Sequence, residues 1–393
     1  MNKLRARALE YSKVTPWQKV ADSPVTKYYT DWRSFEEVLN KPGQVSYERP
    51  RGEWDLVLGP CGSDYNYDID ETLLDLRASR LYSEHVARLE GAHLVEARGR
   101  LRVALCRPTG EAWASQHLVI NVPERAEADV IIYAPRGAPG STGVEVKVKE
   151  GARASVLIVA EPDPRWPTAY LIRRAVGVRA SLSSLVVASP SAVERVDEQT
   201  VMAAQSRLTH ASLTFSWGTA RVDNLVDTVQ GGRDSSADVY GLGVASGPSL
   251  VSVRGTAILT PQAASSSSRF IVEALLLDEQ ARAYTMPMMR IETGDVNVAS
   301  HRAAQYRLPG DQLFYLESRG LTPGEAMELL LRGRVDHLIG LSGVPGEAAE
   351  TARSLAYALV KSSLAGGLTP PAGSPSSLLT ALAFSATSLS LIS

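Results

Sequence analysis

The feature that most narrows what this chain can fold into is an internal repeat. Glu124–Ala134 reads ERAEADVIIYA and Glu150–Ala160 reads EGARASVLIVA, matching at Glu124/Glu150, Ala126/Ala152, Ala128/Ala154, Val130/Val156, Ile132/Ile158 and Ala134/Ala160, an offset of 26 residues. A further 26 residues on, VGVRASLSSLVVAS (Val176–Ser189) keeps part of the pattern through Val178, Ala180, Ser181 and Leu182. A weaker echo, QARAYTMPM, starts at Gln280. A unit of this size recurs in solenoids, where each coil buries its apolar side chains only by stacking on its neighbours. Small alanines at matched positions let the coils approach, while Val, Ile and Leu fill the interior. The competing architecture, a β-sandwich, spaces its strands by roughly 8–12 residues without a fixed long period. The repeat therefore predicts a mainly β chain built as a parallel β-helix, with Ala128, Ala154 and Ala180 in one stacked column.

The regions around the repeat divide the chain. From 92 to 301, short apolar runs such as HLVINVP, SVLIVAEP and FIVEALLLDE are each closed by Gly, Pro, Asp or Ser, and no helical period is sustained. The first ninety residues read as helices and loops. LRARALEY starts one helix, Asp31–Leu39 forms another with Thr30 or Asp31 as N-cap, and Ile69–Gly91 carries apolar residues on roughly one helical face. Helix returns at Thr322-Pro323-Gly324-Glu325, a capping box with Pro at the first helical position. Ala326, Leu329, Leu330 and Val335 supply its buried side. Gly346–Gly367 forms a second helix with Ala352, Leu355, Ala356, Leu359 and Val360 inward and Gly366-Gly367 as its stop. The expected organisation is helical over 1–91, β-helix over 92–305, a helical module over 306–361 and a tail over 362–393. The tail has no charged residue, but Pro370, Pro371, Pro375 and many Ser and Thr interrupt it. It is read as disordered or docked on a partner, because a bilayer span needs about 20 predominantly apolar residues.

Composition removes several function classes. With 393 residues, 44% of them hydrophobic, the chain can bury a large core, and its net charge of −2 leaves no electrostatic footprint for nucleic acid. There is no GxxxxGK[ST], HExxH or GxSxG, and GLGVASG (Gly241–Gly247) has the wrong spacing for a dinucleotide site. Cys61 and Cys106 stand 45 residues apart without a CxxC, which argues against a resident zinc or iron–sulfur site built by this chain alone. Two such cysteines do not make a disulfide framework, and neither is given a role. MNKLRARALEYSK lacks an apolar signal core, so a cytoplasmic location is the expectation. A β-solenoid could instead be a carbohydrate-active enzyme, which needs paired carboxylates in a groove. Only Asp223, Asp227, Asp234 and Asp238 offer themselves, and aromatics make up 6% of the chain. Of the six histidines, His301 stands out by position, in the last β segment before the C-terminal helices.

Residues Ser265–Gly333 resemble the C-terminal signature of the SufB and SufD iron–sulfur cluster assembly proteins. The resemblance rests on a Ser-rich strand, Pro287, Ile291, Ser300-His301, Asp311 to Tyr315, Ser318-Arg319-Gly320 and Glu325-Ala326. It implies a right-handed parallel β-helix flanked by helical regions and a subunit without enzymatic activity of its own. It also implies a SufC-like ATPase bound through the C-terminal helices, with Phe314, Tyr315, Arg319, Gly320, Glu325 and Ala326 as candidates, and no nucleotide held by this chain. Pairing would run along the β-helix, with a SufB-like subunit or a second copy of the chain, and a transient iron–sulfur cluster would form near that joint. Neither nucleic acid nor membrane is implied. The histidine of the SufD-type SH-x-A motif falls on His301. The glutamate that follows the histidine in SufB falls on Arg302, the late cysteine of SufB has no counterpart, and Ala299 stands where the SufD motif often has Cys. The chain thus resembles SufD. Clusters nucleate on thiolates, which imidazole can supplement. His301 is accordingly read as a ligand or proton acceptor donated to a site that a partner completes. A purely structural homo-oligomer is the further alternative.

Overall fold

The structure, a computed structural model, describes residues 3–22 and 27–365. Most of the expected tail and the Gly366-Gly367 stop lie outside the described residues. The chain opens with α1 (Lys3–Val14), α2 (Trp32–Leu39), β1 (Val45–Glu48), β2 (Leu56–Leu58) and α3 (Arg80–Ala87). The first coils follow as β3 (His93–Glu96), β4 (Gly99–Leu105), β5 (Arg107–Gly110), β6 (Ala114–Val122), β7 (Glu127–Pro135), β8 (Gly140–Val148) and β9 (Arg153–Glu161). The middle coils are β10 (Thr168–Val176), β11 (Ser181–Ala188), β12 (Val193–Met202), β13 (Arg207–Ser216) and β14 (Arg221–Gln230). The last are β15 (Ser236–Ala245), β16 (Leu250–Leu259), β17 (Ser266–Leu276), β18 (Arg282–Ile291) and β19 (Val296–Arg307). Three helices, α4 (Gly310–Ser318), α5 (Pro323–Leu341) and α6 (Gly346–Leu364), complete the described chain.

From β6 to β19 successive strands alternate between two parallel sheets, so each coil contributes one strand to each, while β1 and β5 form a separate antiparallel pair. One sheet runs β18-β16-β14-β12-β10-β8-β6-β3 and the other β19-β17-β15-β13-β11-β9-β7-β4-β2. This is a parallel β-solenoid of ~8 turns over residues 93–307, as the repeat predicts. Alternate side chains of both sheets meet in the interior, where Leu118, Ile120, Val130, Ile132, Val144, Val156 and Ile158 are fully buried. The intervening residues are covered too. α5 and α6 lie on Leu157, Val159, Leu185, Leu213 and Phe215 of the β19-to-β2 sheet. The N-terminal segment, with Phe35, Leu81 and Val86, packs against Ala169, Leu171 and Val193 of the other. Strands buried on both faces read as continuous apolar runs, which is why VIIYA and VLIVA do not alternate.

The repeat itself needs one correction. Ala128 pairs with Ala154, but Ala154 pairs with Leu182, 28 residues on. Ala180 lies instead in the column of Ala126 and Ala152, because the amides of Arg153, Ser181 and Arg207 donate to the carbonyls of Ala126, Ala152 and Ala180. The connector between β9 and β10 (162–167) is two residues longer than that between β7 and β8 (136–139), and Asp163 and Arg165 pair within it. At the opposite corner of each coil one residue takes the left-handed conformation: Arg125, Gly151, Arg179, Gln205, Asp234 and Ser265. Each donates its amide to the next coil, so this sharp turn is itself part of the ladder. Most of these positions hold side chains other than glycine, which is why the corner has no glycine signature.

Two further expectations change. The Ile69–Gly91 segment is helical only over α3, capped by Ser79, whose hydroxyl accepts from the Leu81 amide. Residues upstream are drawn out of helix by the sheet: the Glu145 carboxylate on β8 accepts from the Leu73 amide at 2.8 Å and from the Thr72 hydroxyl. Cys61 and Cys106 are joined in a disulfide, because a short turn after β2 folds back onto the start of β5. In the C-terminal region, the Thr322–Glu325 capping box forms as read, while Leu329 is exposed and Leu331 takes the buried place beside Ala326 and Val335. No helix among the described residues is long and apolar enough to cross a membrane.

The N-terminal segment is held to its sheet by charge as well as apolar contact. Arg173, Arg195, Asp197, Asp223 and Arg254 stand on four successive strands of one sheet, all buried. Arg173 and Arg195 pair with Asp197 at 2.9 and 2.8 Å, and Asp223 binds both Arg195 and Arg254. From the N-terminal segment, Asp22 reaches Arg254 at 2.9 Å, Thr30 donates to Asp223 at 2.6 Å, and Tyr82 donates to Asp197 at 2.8 Å. Burial alone would raise the Asp223 carboxyl, but Arg254 and Arg195 hold it far below the usual carboxylate range. Earlier on the same sheet, Ser141, His85, His117 and Glu145 form a buried relay, with contacts of 2.8, 3.0 and 3.5 Å. Burial opposes ionisation of Glu145 too, yet His117, Thr72 and the Leu73 amide bring it down to about 2.

These contacts make two stability predictions. Ile158→Ala removes a fully buried side chain from the interior and should cost about 2–5 kcal/mol in urea unfolding. Glu145 has its pKa lowered from 4.5 to about 2 on folding, so the stabilisation it gives is complete above pH 4.5 and is lost as pH falls towards 2. A shift of that size corresponds to about 3 kcal/mol. Glu145→Gln should therefore be less stable than the wild type at pH 7 by an amount of that order, with the gap closing on acidification below pH 4.5; a gap independent of pH would contradict this.

Candidate functional site at the open end of the solenoid

A parallel ladder answers every strand from both sides except at its ends. β18 and β19 are the terminal strands of the two sheets, so their outer edges carry backbone donors and acceptors with no strand beyond them among the described residues. Neither has a buried residue, unlike the solenoid strands they pair with. Met288 and Ile291 of β18 are exposed apolar side chains at this end.

His301 lies on β19 opposite Phe270 of β17, whose side chain is buried in the interior. Its column thus runs down the inside of the solenoid through Phe270, Val239 and His210. At the last coil no described residue stacks on that column, and His301 is exposed. Its Nδ1 sits 3.1 Å from the Pro287 carbonyl of β18, across the interior. Four residues further along β19, Gln305 donates to the Thr285 hydroxyl of β18 at 3.2 Å. If Nδ1–H donates to Pro287, the neutral ring keeps its Nε2 lone pair free to accept a metal or a proton.

The residue after His301 turns the other way. Arg302 pairs with Glu273 at 2.8 Å on the outer face of the sheet, and Tyr306 donates to the second Glu273 oxygen at 3.1 Å. Burial, then the Glu273 charge, push the Tyr306 hydroxyl up to about 12, so it stays a donor at neutral pH. These groups, with Arg334 and His337 of α5, line a cavity of about 260 Å³.

The other residues singled out in the sequence divide into two groups. Phe314 and Tyr315 are 73% and 55% exposed on α4, a helix with no buried residue, and Arg319 lies over the Tyr315 ring at 5.1 Å. Gly320 has φ +96°, a left-handed turn that stops α4. Glu325 and Ala326 belong to the start of α5, the first closing the capping box and the second fully buried. The carboxylates considered for hydrolysis do not share a groove. Asp223 is locked between arginines, Asp227 accepts from the Thr256 amide, Asp234 pairs with Arg233 in the corner before β15, and Asp238 pairs with Arg269 on the other sheet. Among the described residues, no three His, Cys, Asp or Glu side chains converge as a metal site. Cys61 and Cys106 sit with β2 and β4, at the opposite end of the same sheet from β19.

The described solenoid is open at one end, with an inward-column histidine on its final strand. The family described as SUF system FeS cluster assembly, SufBD core domain, matches residues 106–334, and the chain belongs to that family. Its members are generally non-catalytic components of iron–sulfur cluster assembly. An iron–sulfur cluster assembly SufBD family protein of Mycobacterium bovis is 27% identical over 259 residues, covering 62% of this chain and 63% of the relative. A similar protein of Methanothermobacter thermautotrophicus is 24% identical over 255 residues, covering 62% of this chain and 60% of the relative. A third relative, also from Mycobacterium bovis, is 37% identical over 103 residues, which make up 26% of this chain and 12% of the relative. The chain thus aligns with less than two thirds of the length of the first and second of these proteins.

Proposed function

We propose that this chain is a SufD-like, non-enzymatic subunit of a cytoplasmic Suf-type complex, pairing through the open end of its solenoid and lending His301 to cluster assembly there. The observation that carries this reading is the placement of His301 on a terminal strand whose outer edge has no partner strand among the described residues. An open parallel edge is a template for another chain's strand. A SufB-like subunit or a second copy of this chain, set against β18 and β19, would enclose His301 at the joint. The partner then supplies the thiolates that a nascent cluster requires, since both cysteines here lie at the other end. The cluster is cargo in this scheme, passed on rather than kept.

The helical module of residues 306–361 is the proposed seat of a SufC-like ATPase. α5 and α6 already cover a sheet face, so removing them would expose Leu157, Leu185 and Phe215 and unsettle the solenoid. α4 is different: none of its residues is fully buried, and it leaves Phe314 and Tyr315 exposed. Exposed aromatics on a helix are common anchors of a standard interface of about 1,600 Å². The ATPase binds the nucleotide, and this chain none.

Two measurements test these assignments. In a complex reconstituted with SufB-like and SufC-like proteins, ferrous iron and sulfide, His301→Ala should lower the cluster absorbance about tenfold or more. Thermal stability of the chain should barely change, because the ring is exposed. Undiminished cluster yield would remove His301 from the site. Phe314→Asp should weaken ATPase binding by at least about 2 kcal/mol, roughly a thirtyfold rise in Kd by calorimetry, with the pairing of solenoids intact. Size-exclusion chromatography coupled to light scattering, with each partner omitted in turn, reports whether the edge pairs with a SufB-like chain or with itself.

A further inference from the structure

We propose that Cys61 and Cys106 form a thiol–disulfide exchange site, attacked at Cys61 by a dithiol reductant, that fastens or frees the first edge of the solenoid. The two cysteines are the only ones in the chain, and the fold brings them together from 45 residues apart. The turn that does so is Gly59-Pro60-Cys61-Gly62. Gly59 has φ +116°, and a Cβ there would meet Cys106 Cβ at 3.1 Å; a Cβ on Gly62 would run into the Val57 carbonyl at 2.2 Å. Glycine at both positions is what lets Cys61 close on Cys106.

The two sulfurs are unequal. Cys106 is fully buried, whereas Cys61 is half-buried beside the exposed Pro60 and Gly62. The Cys61 amide donates to Cys106 Sγ at 3.1 Å. An incoming thiolate therefore reaches Cys61 Sγ, and the leaving electron pair falls on Cys106 Sγ, where an N–H is already aimed to meet the charge. The first step forms a mixed disulfide between the reductant and Cys61 and releases Cys106 as thiolate. The reductant's second thiolate then attacks its own sulfur in that bond and releases Cys61. Two electrons pass from the dithiol, which leaves as a disulfide, and two protons complete the cysteine thiols.

Exchange here has a structural consequence. β2 is a three-residue strand at the end of its sheet, paired only with β4, and the disulfide is its covalent tie to the residue that follows β4. Reduction leaves three strand positions, the Cys106 amide bond to Leu58, and the flanking Asp55–Arg102 hydrogen bonds and Trp54–Tyr133 stack to hold it. This proposal is independent of His301, which lies at the other end of the same sheet, and of ATPase binding. In a reconstitution fed with free sulfide, cysteine variants should leave cluster yield unchanged, so a failure here and a failure of the His301 reading are distinguishable.

The test uses the full-length oxidised protein under native conditions. Brief treatment with dithiothreitol followed by iodoacetamide should label Cys61 at least about tenfold faster than Cys106, read by peptide mass spectrometry. Amide exchange of residues 56–63 should accelerate about tenfold or more on reduction, since a closed 45-residue loop is opened. Cys106→Ser incubated with oxidised glutathione should accumulate a mixed disulfide at Cys61, while Cys61→Ser should leave Cys106 unmodified. The proposal is overturned if the native disulfide resists dithiothreitol until the chain is unfolded, if Cys106 labels first, or if exchange at 56–63 is the same in both redox states.

Discussion

In a stack of parallel coils, each backbone amide and carbonyl is answered by the coil before or the coil after, and stability grows by one ladder per turn. The same rule leaves two rows of unanswered groups wherever the stack stops. At the first end the chain meets the demand with β2, a strand of three residues, and fixes it with a covalent tie. At the last end it offers β18 and β19 without a cover among the described residues. Interior side chains, sealed elsewhere by the next coil, come to the surface only there. The position of His301 on the final coil is therefore what turns a packing column into a chemical group that another molecule can reach.

The two outer faces of the solenoid are finished by different chemistries. One sheet presents Leu, Val and Phe, and α5 and α6 cover it by apolar contact. The other presents an alternation of arginine and aspartate across four strands, answered by Asp22, Thr30 and Tyr82. Fully buried ion pairs lose hydration and recover it only through complete hydrogen bonding, so they add registration more than net stability. The interior has its own version. Arg174, Glu198 and His210 meet between the sheets; burial would raise Glu198, but the charges of His210 and Arg174 bring it down to about 2.

Much of this was legible in the sequence because a solenoid repeats its own instructions. The matched alanines and β-branched residues of Glu124–Ala134 and Glu150–Ala160 announce stacking, and the capping box at Thr322 announces α5 where it begins. The reading slipped at the third coil, because two extra residues in a surface connector shift the register without leaving a mark in the strands. It slipped again over residues 69–79, where an apolar spacing suited to a helix is overruled by one distant carboxylate, Glu145. The disulfide was invisible for the same reason: Cys61 and Cys106 meet through a turn whose geometry depends on two glycines and on a β2–β4 pairing. For the candidate site, motif and position singled out His301, Phe314 and Tyr315, but the open edge on which His301 lies is a property of topology.

The strap that the N-terminal segment lays along the arginine–aspartate face has a bearing on how the chain comes to be folded. Thr30 finds its partner at Asp223, 193 residues later, and Asp22 finds its own at Arg254. Contacts so distant in sequence are late and slow to form. During synthesis, Asp22 and Thr30 must wait until six or seven coils' worth of chain has followed them, while each new coil can stack on the last at once. The strap thus closes only once β14 and β16 are in place.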